Sequence, residues 1–277
     1  MIFRRGIPHV FLVVWSLMVA IPLLWALVSS FKSSSEILED PWGLPGVLRW
    51  INFAHAWSKA NLGQYFLNTI IVVGFSVFFT MLFGAMVAYV LARYQFRGNR
   101  FIYYLFVSGM AFPVFLALVP LFFVVNNFGL LNTYQGLIMV YVAYSLPFTI
   151  FFLHSFFRTL PESVAEAAVL DGCTPTRMFF QVMLPMARPG LVSVGIFNVL
   201  GQWNQFILPT TLMQQTGPFS PARKMLAQGL ADLSVQQGYA GDWGALFAGL
   251  TLAMLPVLAV YLVFQRQIQT GLTATSK

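Results

Sequence analysis

Few residues of this 277-residue chain could do covalent chemistry. Its three histidines, His9, His55 and His154, stand far apart. Its one cysteine is Cys173, and its eight carboxylates are scattered. No spacing gathers His, Cys, Asp and Glu into a metal ligand set, or sets a nucleophile beside its base. There is no G-x-x-x-x-G-K-[ST] stretch and no Gly-Lys pair, so no phosphate-cradling loop of that kind. Two other groups of polar residues stand out. "FNVLGQWNQF" (Phe197–Phe206) carries Asn198, Gln202, Trp203, Asn204 and Gln205 in apolar surroundings. Asn198 and Gln202 are four apart and share a helix face, and Gln205 lies three further on. Asn68, Thr69, Tyr144 and Ser145 are similar. Such side chains either hydrogen-bond a polar solute or link one helix to another. The second group is the stretch "EAAVLDGCTPTRMFFQVMLP" (Glu166–Pro185), which sets charges, a glycine break and prolines inside an otherwise apolar chain.

The elements that must position these residues follow from composition. The chain is 58% hydrophobic and 8% charged, against about 25% charged in a soluble domain. Crossing a bilayer takes about 20 apolar residues. Six such runs occur, at about residues 7–31, 65–92, 101–125, 136–157, 190–208 and 244–264. The uncharged stretch 101–157 is too long for one span, and "NNFGLLNTYQG" (Asn126–Gly136) supplies its turn. The first run is longer than a signal-peptide core and lacks a clear small-x-small cleavage site, so it is expected to be a retained helix.

Charge sets the orientation. Ten Lys and Arg fall on the side of the two termini and the connections at 93–100 and 158–188. Five fall on the other side. The acids divide three to five, so the first side nets +7 and the second zero. The positive side is expected to be cytoplasmic, with both termini on it. Membrane topology thereby accounts for the whole net charge, and no nucleic-acid partner is needed.

Glu166–Pro185 then lies in the largest cytoplasmic connection, about 158–188. Pro161 and Glu162 suit a helix start, "SVAEAAVLD" a helix body, and Gly172 the left-handed residue that ends it. Thr174 and Pro175 suit a second start. "RMFFQVML" continues this helix, and Pro185 is expected to stop it. The apolar residues of the second helix need a partner, either the base of the helical bundle or another protein.

Glu166-Ala167-Ala168, three residues, Gly172, nine residues, Val182, one residue, then Leu184-Pro185 resembles the EAA signature of permease subunits of binding-protein-dependent ABC importers, with valine where isoleucine is commoner. Other stretches resemble the maltose-type, carbohydrate-uptake branch. They are "PLLWALVSSFKSSSEI" from Pro22, "YFLNTIIV" from Tyr65, "AYVLARYQFRGNR" from Ala88, "PLFFVVNNFGLLNTYQGLI" from Pro120, "WNQFILP" from Trp203 and "QRQIQTGLTA" from Gln265. The ending "TATSK" departs from the tail common there.

The resemblance implies an all-α polytopic membrane protein with the type I ABC importer permease fold. It implies a single permease domain over 1–277, with six transmembrane helices, a cytoplasmic coupling helix in 158–188 and an external loop at about 209–243. It implies four kinds of neighbour: a homologous second permease, two ATP-binding subunits, an extracytoplasmic solute-binding protein and the lipid bilayer. ATP and Mg are expected on the ATPase subunits, with no cofactor and no catalysis in this chain. The coupling residues it assigns are Glu166, Ala167, Ala168, Asp171, Gly172, Phe179, Phe180, Met183, Leu184 and Pro185. Glu166 would offer a charged contact to the ATPase, and Phe179, Phe180 and Met183 apolar burial. The implied cargo is a sugar or oligosaccharide, with Asn68, Tyr144, Asn198, Gln202, Trp203 and Asn204 as candidate path residues. A polyol or glycerol phosphate carried by the same architecture is the alternative. A self-sufficient channel would have no evident use for the loop. An ion-coupled carrier usually places ionisable groups within the bilayer, and none of the six spans has Asp, Glu, Lys or Arg at mid-depth.

Overall fold

The computed structural model describes residues 2–214 and 223–274. The described residues are helical, with no strand among them. The elements are α1 (Ile2–Ser29), α2 (Ser34–Glu39), α3 (Ile51–Ala54) running into a π-type turn (His55–Lys59), α4 (Leu62–Arg93), α5 (Asn99–Met110), α6 (Val114–Asn127) and α7 (Tyr134–Thr159). They continue with α8 (Glu162–Leu170), α9 (Pro175–Arg177), a π-type segment (Met178–Met183), α10 (Leu184–Met186), α11 (Arg188–Trp203), α12 (Ile207–Leu212), α13 (Leu226–Ala240) and α14 (Trp243–Ala274). In α1, α4, α7 and α14 a helical segment is long and apolar enough to cross a membrane. Counting two bent helix pairs as one span each brings the number to six.

The expected third and fifth spans differ from the simple picture. Residues 101–125 fall in α5 and α6, which bend by 104° at the break between them. Pro113 explains the break, because it cannot donate to the preceding turn and biases Phe112 away from helical geometry. Residues 190–208 are split by a break after Trp203, with α12 resuming at Ile207. The chain also stays helical through Pro185 as far as Met186, so that proline does not stop the helix. The widened turn just before it explains this. The Leu184 N–H bonds to the Phe179 carbonyl five residues back, which opens the coil where a proline ring would otherwise clash. Of the expected external loop, α12 and α13 form the described parts. Residues 215–222 of that loop lie outside the described residues, as do residues 275–277 of "TATSK".

The chain divides into two compact units. The first comprises Met1–Leu67 and Leu226–Pro256. Within it the Trp25 ring meets Phe247 edge-on at 5.0 Å, and the Trp243 N–H donates to the Ser34 hydroxyl at 3.1 Å. His55 Nδ1 pairs with Asp242 at 3.3 Å.

The second unit comprises Asn68–Met225 and Val257–Lys277. It is layered along its long helices. One apolar core takes Val72 of α4, Leu137, Val140 and Tyr141 of α7, and Leu208 and Leu212 of α12. The other takes Ala85, Ala88 and Tyr89 of α4, Ile150, Leu153 and Phe157 of α7, and Val194 of α11. Between them in sequence, on the same helices, stand the buried residues Ser76, Thr80, Ser145, Thr149, Asn198 and Gln202. Small residues let the helices close up around this polar layer. A Cβ at Gly84 would stand 2.5 Å from the Thr149 methyl group.

Candidate functional site

The polar layer is a hydrogen-bond network across three helices. Asn198 of α11 donates to the Thr149 hydroxyl of α7 at 2.8 Å. Gln202 donates to the Ser145 hydroxyl at 2.9 Å and accepts from the Ser76 hydroxyl of α4. Thr149 donates to the Ser145 carbonyl one turn back. Polar groups at the depth of the hydrocarbon need such partners. Asn198 and Gln202 therefore act first as links between helices.

The same layer opens on one side into a cavity of about 430 Å³, within the usual range for a small-molecule site of about 300–1,000 Å³. Met110, Phe112, Phe148 and Phe197 give it apolar and aromatic walls, and Tyr144, Ser145, Asn198, Gln202 and Gln205 give it polar groups. The phenol of Tyr144 and the amide of Gln205 make no side-chain hydrogen bond among the described residues, so both can bond to a guest. Three of the expected path residues, Tyr144, Asn198 and Gln202, thus come together.

The other three do not line the cavity. Asn68 donates to the Lys224 carbonyl at 3.0 Å and accepts from the Tyr134 hydroxyl at 2.8 Å, so it ties chain segments together. Asn204 bonds back to the Leu200 carbonyl at 2.9 Å. Trp203 is half-buried next to it. Sequence reasoning missed the wall formed by Met110 and Phe112. Pro113 was the available signal, because a break there turns the end of α5 toward α7.

The connection 158–188 begins where the Arg93 guanidinium donates to the Leu160 carbonyl at 2.6 Å. α8 ends in a Schellman motif: Cys173 N–H bonds to Ala168 O at 2.9 Å, and Gly172 N–H to Val169 O at 3.0 Å. Gly172 has φ +78°, the left-handed conformation that this motif needs and that side chains disfavour. Thr174 then caps the next helix by accepting from the Arg177 N–H at 3.4 Å.

Burial sorts the expected coupling residues into two sets. Ala168, Phe179 and Met183 are buried in the core with Tyr89 and Phe157, and Leu184 packs against it. The Phe179 ring lies 5.1 Å from that of Tyr89. Phe179 and Met183 therefore cannot offer apolar surface to another protein, contrary to expectation. They are the root by which the connection is held to α4 and α7. Glu166, Ala167, Asp171, Gly172 and Pro185 are exposed, and so is Phe180. Two further exposed residues had not been singled out, Val169 at 61% and Leu170 at 87%. Two bulky aliphatic side chains that end a helix at a glycine turn, after small Ala167 and Ala168, were the signal. Among the described residues no group of His, Cys, Asp or Glu could hold a metal ion.

Apolar spans, a polar layer at their middle, a cavity open to that layer and a connection rooted in the core with an apolar tip define a polytopic membrane protein fitted for solute passage. The chain belongs to the family of binding-protein-dependent transport system inner membrane components, whose pattern matches residues 81–273. It is thus a multi-pass component of a transport system rather than an enzyme. It is 55% identical to the diacetylchitobiose uptake system permease protein NgcG of Streptomyces coelicolor over 95% of this chain and 85% of that one. It is 31% identical to the arabinooligosaccharides transport system permease protein AraQ of Halalkalibacterium halodurans, over 91% and 88% respectively. Among solved structures, a bacterial ABC transporter involved in the import of the acidic polysaccharide alginate has a chain that superposes with a TM-score of 0.79 over 94% of both chains, at 22% identity. The methionine ABC transporter MetNI gives 0.54 over 76% of this chain and 95% of that one, at 21% identity. Likeness at such identities is one of fold.

Proposed function

We propose that the chain is one permease subunit of an ATP-driven importer that carries an oligosaccharide from an extracytoplasmic binding protein into the cytoplasm. Diacetylchitobiose is the first candidate cargo. The relative taking up that disaccharide supports this choice, being 55% identical over 95% of the chain. The cavity fits the reading: aromatic walls suit sugar faces, while Tyr144 and Gln205 offer hydrogen bonds to hydroxyl and amide groups.

In this reading the chain pairs with a homologous permease, and two ATPase subunits bind ATP and Mg below them. Both termini and the connection 158–188 are cytoplasmic, as the ten-to-five division of basic residues favours. The ATPase seats on Glu166, Ala167, Val169, Leu170 and Phe180. Because Phe179 and Met183 are packed among residues of α4 and α7, closure of the ATPase pair would move the connection and those helices as one body. The helices lining the cavity would thereby swing between inward- and outward-facing states, and over the cycle the sugar would pass from the binding protein to the cytoplasm.

The carrying observation is the pairing of a polar-lined cavity with an exposed apolar tip on a rooted connection. The test is uptake of labelled mono-, di- and oligosaccharides, diacetylchitobiose among them, in cells with and without the chain. Loss of one sugar's uptake on deletion, restored by the intact chain, is the expected result. Unchanged uptake of every sugar would overturn the cargo assignment.

A further inference from the structure

The segment that follows α1 is built inside out. Lys32 is only 1% exposed. Its ammonium donates to the main-chain carbonyls of Asp40 at 2.9 Å and Pro41 at 3.2 Å. The buried amide of Asn52 donates to the carbonyls of Ser30 at 2.9 Å and Lys32 at 2.8 Å. The Glu36 carboxylate accepts from the Ser33 N–H at 2.7 Å and from the Gly46 N–H at 3.1 Å. The side chains of Lys32, Glu36 and Asn52 are thus consumed by holding the segment in one shape; Glu39 and Asp40 stay exposed at its start, and beyond them the apolar side chains are left outside. Trp42 is 75% exposed and Leu44 84%, and Val47, Leu48, Trp50 and Ile51 are exposed with them. A loop that faces water shows the reverse arrangement.

Its depth is fixed by α1. The Trp25 indole N–H donates to the Pro41 carbonyl at 2.7 Å, and the Trp25 and Trp42 rings lie 6.1 Å apart. Trp25 precedes the end of α1 at Ser29 by four residues, about 6 Å along a helix axis at 1.5 Å per residue. The segment therefore folds back beside the last turn of a membrane-spanning helix instead of rising clear of it. Among the described residues none buries the apolar stretch of that helix. A second contact ties the far end of the segment to the residues just past α1: the Arg49 N–H donates to the Phe31 carbonyl at 3.0 Å, and the Phe31 ring meets Trp50 at 4.8 Å.

We propose that residues 42–51 are a lipid anchor, sunk among the headgroups and upper acyl chains of the leaflet opposite the N-terminus, with the exposed carboxylates of Glu39 and Asp40 at its aqueous edge. Tryptophan is enriched at that level because its ring is apolar and its N–H is polar. Arg49, exposed in the same segment, can reach a lipid phosphate. A docking face for a soluble protein would have no reason to lie at the depth of Trp25. The inference rests only on α1 being a membrane span, not on the solute carried.

Spin labels at Leu44→Cys and Val47→Cys, with Cys173→Ser, test it in the full chain reconstituted with its partner subunits in lipid vesicles. Collision with oxygen, which enters lipid, is compared with collision with a water-soluble nickel chelate. A label at Leu17→Cys in α1 is the lipid reference. The expected result is that both anchor labels, like the reference, favour oxygen over the chelate. Chelate-dominated collision would place the segment in water and overturn the proposal. Labels shielded from both reagents would place it under protein and overturn it equally.

Discussion

At the scale of single residues, the cavity separates side chains that hold the protein together from those left for a guest. Gln202 and Asn198 bridge α11 to α4 and α7. Interhelical hydrogen bonds in membranes contribute about 0.6 kcal/mol each on average and up to about 1.7. Gln202→Ala is therefore expected to lower stability in detergent by about 1 kcal/mol, read from thermal unfolding, along with any loss of uptake. Tyr144→Phe and Gln205→Ala remove groups with no such partner among the described residues. They are expected to raise the KM for the sugar while leaving the melting temperature unchanged. A second residue-scale expectation concerns Glu36. The N–H and hydroxyl of Ser33 and the N–H of Gly46 hold its carboxyl at about 2, below its ordinary 4.5. The folded value is the lower one, so the carboxylate's contribution is fully present above pH 4.5 and is lost as pH falls toward 2. A spin label at Val47 should keep constant mobility from pH 7 to 4.5 and loosen below that. In Glu36→Gln this pH-dependent step should vanish.

At the scale of elements, the connection 158–188 is rooted in the core by Phe179 and Met183 and turns at Gly172. Gly172 holds φ +78° with no atom within 4 Å of a would-be Cβ. A side chain there meets backbone strain and no steric clash. Gly172→Ala is expected to cost about 1–2 kcal/mol, and Gly172→Asn less, because asparagine tolerates this conformation. Thermal unfolding of the two variants checks the order. The two helices of this connection were legible in the sequence, since Pro161, Gly172, Thr174 and Pro175 each carry a local signal. The face that meets the bundle was not. Phe179 and Met183 are four apart with Phe180 beside them, and periodicity alone cannot say which face finds a partner inside the chain. The widened turn at Met178–Met183, which carries the helix through Pro185, has no simple sequence mark either. Among the spans, hydropathy revealed the long helices but not the bend in 101–125, for which Pro113 and not the apolar count was the mark. Asn68 and Asn204 show the same limit. Their residue type matched the solute path, but their neighbours in space decided otherwise.

At the scale of the whole molecule, the proposed function asks the chain for a solute path and for a point of attachment to the subunits that hydrolyse ATP. The proposed account joins these by letting an ATPase push on the exposed tip at Val169 and Leu170. Leu170 is 87% exposed, so Leu170→Asp should leave the fold intact. A carboxylate brought into an apolar contact without a partner is costly, and a loss of about 1.4 kcal/mol is already about tenfold in affinity. The most direct test is ATP-dependent accumulation of labelled diacetylchitobiose in vesicles holding this chain, its partner permease and the ATPase subunits, with the binding protein outside. The account expects accumulation that requires ATP within the lumen facing the ATPase. It also expects accumulation to fall about tenfold or more with Leu170→Asp, at unchanged melting temperature. Sugar entry without ATP, or full accumulation with Leu170→Asp, would contradict it.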